Sequence, residues 1–315
     1  MKQNLLFLLF GIIPLSAFSQ NGKLVEQTEY TLADTSISKI RVINGGIDTV
    51  LNKVITYGIT YQSDGLKVKG YLVMPKAKGV YPCIIYNRGG NRDAGALTDG
   101  QIGRIMAEVA SWGYIVVGSQ YRGNMGGEGK EEFGGSDVND VLNLIPLLAN
   151  LQQADTSRIG MYGWSRGGMM TYLALTKTNR IKAAVVGSGA ADAFIQTRKR
   201  PEMDSVFAQL IAGYYLNRDS ALKSRSAVYW ADKICKTTPL FLLSGGADWR
   251  VSPEEQFEMI KKLYEVNHPF RYAFFEGGQH SLIEHNAEVN RVARVFFDFY
   301  VRDKNLWPNL KPHGN

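Results

Sequence analysis

Short apolar runs alternate with helical patterns along most of this chain, and few architectures accommodate that alternation. The runs fall at 83–86, 114–119, 159–162, 183–186, 240–243 and 272–275. Helical patterns lie between them, near 100–111, 137–150, 166–176, 253–266 and 284–302. Such an order predicts a largely parallel sheet with helices on both faces. Strands buried on both faces read as continuous apolar runs, as these do. Upstream, 54–62 and 66–74 read as two strands joined by Ser63-Asp64-Gly65, a hairpin signal, with Pro75 ending the second. Ser252-Pro253, with Glu255 three residues after Ser252, has the form of a capped helix start. The interval 190–235 is too long for a simple connection. It predicts one crossover helix and a small cap over the carboxyl edge of the sheet, with Phe194, Phe207, Tyr214, Tyr215, Tyr229 and Trp230 mostly packed against the body.

The first residues follow another logic. Lys2 precedes an apolar run at 5–13, then Pro14 and a small-residue stretch with a cleavage site at Ala17-Phe18-Ser19. That order predicts a signal peptide over 1–19 rather than a buried helix, and therefore export to the periplasm or outside. The run is too short to span a bilayer, so no membrane anchor is expected after cleavage. Residues 20–50 are polar and weakly periodic and read as an N-terminal extension, with the catalytic domain over 51–315. Losing Lys2 lowers the formal net charge from +7 to +6. The basic residues are dispersed and their densest cluster is Arg198-Lys199-Arg200, so a solvated surface is expected and not nucleic-acid binding. A composition of 45% hydrophobic and 21% charged residues suits a domain with a sizeable core. Such a domain needs no disulfide staple, and Cys83 and Cys235 are expected to be buried or free thiols.

In an open parallel sheet, sites form beyond the carboxyl ends of the strands. The run 159–162 is followed by Gly163-Trp164-Ser165-Arg166-Gly167-Gly168 and a helix. A strand turning at once into a helix leaves Ser165 exposed on a strained turn, as a nucleophile would be. A plain glycine bend is the alternative. A serine needs a base held by a carboxylate. Of the four histidines, His313 lies in the polar tail, His268 in a turn before a strand and His285 at a helix start. His280 directly follows the last strand, in Glu276-Gly277-Gly278-Gln279-His280, and is the candidate base. Asp248 follows the strand 240–243 through a glycine-rich exit, while Asp192 is a rival after the preceding strand. The order Ser165, Asp248, His280 is that of an α/β-hydrolase fold. Oxyanion donors are expected from the backbone N–H of Arg166, from Gly89 in the loop Gly89-Gly90, and from Arg88 as a charged donor. Surface ion pairing is the alternative for Arg88 and Arg92.

These residues resemble the catalytic domain of the prolyl oligopeptidase family of serine peptidases, over roughly residues 57–300. The resemblance rests on GWSRGG at 163–168, GADWRVSP at 246–253, EGGQHS at 276–281, and the segment with Arg122-Gly123, Phe133, Asp137 and Asp140. It implies Ser165 as nucleophile, Asp248 as orienting acid and His280 as base. It also exposes departures from the family pattern. With only about thirty residues expected between the leader and the catalytic strands, the family's gating β-propeller is expected to be absent. Arg88 stands where the family places a tyrosine or histidine oxyanion donor. Small residues after Val186 give no stacking surface for proline.

The expected activity is that of an exported serine hydrolase, acting on peptide bonds through an acyl-enzyme on Ser165. A carboxylesterase or carbohydrate acetyl esterase is the alternative on the same fold, since the triad serves both bonds. A non-catalytic binding module is the third reading. No metal or organic cofactor is expected, and the substrate is a peptide or ester.

Overall fold

The computed structural model describes residues 20–43 and 49–314. The signal-peptide reading of 1–19 therefore lies outside the described residues. The strands are β1 (Leu24–Glu29), β2 (Val54–Ser63), β3 (Leu66–Pro75), β4 (Tyr81–Asn87), β5 (Ile115–Ser119), β6 (Ala154–Trp164), β7 (Ile181–Gly187), β8 (Leu240–Gly245) and β9 (Phe270–Phe275). They form a nine-stranded sheet in the order β1-β2-β3-β5-β4-β6-β7-β8-β9. Pairing is antiparallel from β1 through β3 to β5 and parallel from there to β9. Helices cover both faces. This is the mostly parallel α/β-hydrolase architecture that the alternation predicted, with the antiparallel hairpin at its N-terminal side.

The hairpin is tight because Asp64 and Gly65 both take positive φ, 52° and 81°. Ser63 pairs directly with Leu66, so the loop is two residues long and its twist suits the strands. The apolar runs feed two cores at once. Successive side chains on a strand point to opposite faces. Ile85, Val117, Val186 and Leu242 therefore enter one core, and their neighbours Ile84, Val116, Val185 and Leu243 enter the other. Each such burial contributes about 1.5–3 kcal/mol.

Several elements differ from the sequence expectation. Within 20–50, β1 adds an edge strand to β2, so part of this polar segment belongs to the sheet. Exposure on both faces hides it from periodicity: five of the six positions of β1 are exposed, so it has no apolar alternation. The helical pattern 137–150 splits at Asn143 into Val138–Leu142 and Leu144–Ala149. Pro146 has no N–H for the carbonyl of Leu142, and its ring crowds that carbonyl. The pattern 100–111 forms as Asp99–Gln101, a π-helical segment Ile102–Ala107 and Glu108–Ser111. Within 190–235 there are three short helices, Ala193–Lys199, Glu202–Leu210 and Arg218–Lys223. Phe207, Tyr214 and Trp230 pack into the body, whereas Tyr215 and Tyr229 are exposed. Cys83 and Cys235 are free thiols, and burial pushes the Cys83 thiol up to about 12.

Ser252 caps the helix Pro253–Glu265 by accepting from the Glu254 N–H at 3.3 Å. Glu255 does not complete the capping box. Its Oε2 instead accepts from the backbone N–H groups of Ala191 and Asp192, at 3.0 and 3.1 Å, tying this helix to the loop after β7. Burial is the largest influence on Glu255 and pushes its carboxyl up to about 8, although those two N–H groups act the other way.

Arg122 and Asp140 form a second tie. Asp140 is wholly buried and receives the Arg122 N–H at 2.7 Å, its Nη2 at 2.8 Å and the Ser63 hydroxyl at 2.6 Å. The pair thus joins the β2–β3 turn to the loop after β5. Asp140→Ala would leave a nearly buried guanidinium with one partner fewer. It should lower stability by about 3–5 kcal/mol in denaturant unfolding. Glu255 has the opposite pH signature to an ordinary ion-paired acid. The folded state holds its proton more tightly than the unfolded chain, so stability should fall as pH rises from about 4.5 to about 8. Glu255→Gln should flatten that part of the stability–pH curve measured by urea unfolding; an unchanged slope refutes the assignment.

Candidate active site

The chain leaves β6 at Trp164 and enters the helix Arg166–Leu175 with Ser165 as the sole hinge. Ser165 sits at φ 58°, ψ −125°, a left-handed backbone that costs a non-glycine residue roughly 1–3 kcal/mol. The turn is clamped on both sides. The Ser165 N–H donates to the Gly187 carbonyl at 2.9 Å, and its carbonyl accepts from Gly168 and Ala190 at 2.9 and 3.0 Å. Glycine is obligatory around it for steric reasons. A Cβ on Gly167 would lie 1.8 Å from the Asn87 carbonyl oxygen, and one on Gly163 would lie 2.3 Å from the Gly167 carbonyl oxygen. The loop after β4 also closes on the serine. A Cβ on Gly89 would stand 2.9 Å from the Ser165 Cβ and 3.5 Å from its Oγ.

Asp248 and His280 arrive from the next strand ends. The exits of β8 and β9 touch through bare backbone: a Cβ on Gly245 would lie 2.1 Å from the Gly278 carbonyl oxygen. The Ala247 N–H donates to that carbonyl at 2.9 Å. This contact sets the His280 Nδ1 2.8 Å from the Asp248 Oδ2. The other carboxylate oxygen accepts from the N–H groups of Arg250 and Val251 at 2.8 and 3.0 Å. Burial alone would raise the Asp248 carboxyl. The His280 hydrogen bond and charge, with the two N–H groups, more than offset that and hold it below the usual aspartate value. An ionised Asp248 accepting from Nδ1–H leaves His280 Nε2 as the proton acceptor. Trp164 fixes the loop from behind: its indole N–H donates to the His280 carbonyl at 2.9 Å.

Ser165, His280, Gly89 and Arg166 line one cleft of about 300 Å³. The rival residues lie elsewhere. Asp192 caps the helix Ala193–Lys199, accepting from Phe194 and Ile195. His268 is buried between the carbonyls of Pro269 and Cys235, and burial depresses its pKa. The His285 ring lies 5.1 Å from that of Phe275. His313 is exposed and contacts the Lys311 carbonyl.

Arg88 departs from its expected position as a charged oxyanion donor. Its side chain is 0% exposed and turned away from the cleft, donating through Nε and Nη2 to the Gln120 carbonyl at 3.0 and 2.6 Å. Burial, with the Arg166 cation nearby, pushes it down to about 10. Nor does Arg88 form a surface ion pair: its acidic neighbour is the buried Glu131, 3.7 Å away. Of the three expected donors, Gly89 and Arg166 stand at the serine. The Arg166 N–H opens a helix and has no intrahelical acceptor.

Glu131 escaped the sequence reading. It receives the guanidinium of Arg166, the Asn124 amide at 2.7 Å and the Arg92 N–H at 2.9 Å. The second guanidinium nitrogen of Arg166 pairs with Asp137 at 2.6 Å. The Phe133 ring lies 4.3 Å below the same guanidinium. Two arginines and two acids thus neutralise one another and hold the first residue of the helix after Ser165. The available signal was the acid pair Glu131-Glu132 directly before Phe133.

The chain has clear relatives. The model of the prolyl oligopeptidase family (Peptidase_S9) matches residues 103–305. The uncharacterized peptidase YtmA of Bacillus subtilis is 30% identical over 225 residues, covering 71% of this chain and 85% of that protein. Dipeptidyl aminopeptidase BIII of Pseudoxanthomonas mexicana is 28% identical, over 60% of this chain but 29% of its own length. The structure of a Mycobacterium tuberculosis puromycin-hydrolyzing peptidase superposes with a TM-score of 0.68 at 22% identity, covering 78% of this chain and 40% of that one. Pyrococcus horikoshii acylaminoacyl peptidase gives 0.68 at 22%, covering 82% and 44%. At that identity the structural likeness speaks for the fold alone. The family match and the relative of similar length establish that this chain belongs to the prolyl oligopeptidase family of serine peptidases.

Proposed function

We propose that the protein cleaves peptide bonds through an acyl-enzyme on Ser165. The observation that carries this reading is the His280–Asp248 hydrogen bond beside a serine held at positive φ in the same cleft. His280 Nε2 takes the Ser165 Oγ proton as the oxygen attacks the carbonyl carbon. The N–H groups of Arg166 and Gly89 receive the oxyanion. The proton then passes from His280 to the leaving nitrogen, and the C–N bond breaks. Water, deprotonated by the same imidazole, releases the acid and restores Ser165. Asp248 holds the tautomer throughout and stabilises the imidazolium.

The relatives named as peptidases support peptide over ester substrates. On the acyl side, Ala190, Val251 and Met203 line the cleft with small or flexible apolar surface, which supports a modest apolar side chain before the scissile bond. The leader-like order of residues 1–19 supports export to the periplasm or beyond, and cell fractionation of the full chain tests that.

Labelling with a fluorophosphonate tests the chemistry. The wild type should be labelled and Ser165→Ala should not. His280→Ala should lower kcat/KM by several orders of magnitude, while His313→Ala leaves it unchanged. Asp248→Asn should retain the fold and lose about 10⁴-fold in kcat, because the imidazole then adopts the wrong tautomer. Labelling that survives Ser165→Ala overturns the reading. Hydrolysis of acetyl esters with no cleavage across a peptide panel removes the peptidase assignment.

A further inference from the structure

The two halves of the cleft belong to different cores. Phe133, Ala190 and Met203 are part of the core on one face of the sheet. Tyr86, Trp164 and Ile105 belong to the other face or pack on it, as does Leu282 just past His280. His280 hands its proton to the leaving group, so the half on its own side receives the leaving residue.

That half contains Arg104. It lines the cleft, is half-buried, and makes no hydrogen bond or ion pair among the described residues. Neighbouring acids are engaged elsewhere. Asp99 accepts from the Tyr30 hydroxyl at 2.6 Å and the Ala33 N–H at 2.9 Å. Glu108 accepts from the Trp112 indole at 3.0 Å. No Asp or Glu lines the cleft among the described residues. The other arginines at the cleft are differently placed: Arg200 pairs with Glu202 at 2.9 Å, and both Arg200 and Arg250 stack on Trp249. Gln101, one turn before Arg104, also lines the cleft, and its side-chain carbonyl oxygen is buried without a partner. Both residues sit where the helix passes into its π-helical segment Ile102–Ala107, a distortion that often marks functional positions. A partly desolvated cation without a counter-ion and a spare acceptor beside it form an incomplete polar site.

Resting on the hydrolase reading above, we infer that Arg104 selects substrates whose leaving residue carries a carboxylate. The guanidinium binds the carboxylate as a forked donor, and Gln101 accepts an N–H of the same residue. The carboxylate has two sources, the free C-terminus of a peptide cut one residue from its end or an acidic side chain at that position. Arg104 is thus a specificity-determining residue and takes no part in proton transfer.

Three N-acyl dipeptides differing only at the leaving residue test this: alanine as the free acid, alanine amide and glutamate amide. The wild type should prefer a carboxylate-bearing member over alanine amide by roughly five- to tenfold in kcat/KM. Preference for the free acid alone assigns the C-terminal carboxylate, and preference for glutamate amide assigns the side chain. Arg104→Gln should bring the ratio to about one, Arg104→Lys should keep only part of it because an ammonium lacks the planar fork, and Arg104→Glu should reverse it. The same peptides, used to protect Ser165 from a fluorophosphonate, report binding even where turnover is slow. Equal rates and equal protection for all three, or a ratio that Arg104→Gln leaves intact, overturn the inference. Failure of the wild type to be labelled would instead overturn the hydrolase reading. Carboxylate-dependent protection without peptide cleavage would remove the peptidase assignment and leave Arg104 in its role.

Discussion

The site depends on how closely bare backbone can approach bare backbone. The chain at Gly167 passes so near the Asn87 carbonyl that a methyl group there would sit 1.8 Å from its oxygen, and Gly245 stands in the same relation to the Gly278 carbonyl. The first contact seats the helix after Ser165 against β4, and so brings Gly89 to the serine. The second brings the β8 and β9 exits together, which puts His280 on Asp248. A Cβ at any of these points would separate strand ends that must meet within hydrogen-bonding distance. Glycine is disfavoured in regular elements on entropic grounds. Here that cost is offset by geometry no other residue permits.

Around this backbone frame the protein buries charge, which is expensive unless every charge is paired. Arg166, Arg88, Glu131 and Asp137 achieve that together, with the Tyr121 and Phe133 rings against the guanidiniums. The cluster links the loops after β4 and β5 to the first turn of the helix Arg166–Leu175. It therefore fixes the direction of the Arg166 N–H while its side chain faces the interior. Arg104 is the contrast. It is half-buried at the same cleft with no counter-charge among the described residues, and an unpaired cation so placed is best satisfied by a ligand.

Most of the sheet was legible because strands buried on both faces can be read without knowing their neighbours. The edge strand β1 was not, since a polar strand exposed on both faces has no such signature. Ser165, Asp248 and His280 were legible for a related reason. Each follows a recognisable strand, so its place at the carboxyl edge comes with the strand. Arg88 also follows a strand, yet its side chain turns inward to Gln120, because the choice between cleft and interior depends on a carbonyl 32 residues away. Glu255 shows the same limit. Local spacing suggests a capping box, but two N–H groups from the loop after β7 compete for its carboxylate and win.

The amino-acid sequence by itself determined the alternation of elements, the hairpin, and which serine, acid and histidine stand at strand ends. These are properties of short segments and of the parity of a strand. Only the tertiary structure decided where side chains point once the segments meet: Arg88 inward, Asp192 onto its own helix, Glu131 onto Arg166, Arg104 into the cleft. Those outcomes depend on which distant donors and acceptors remain unpaired after packing, and no local pattern carries that information.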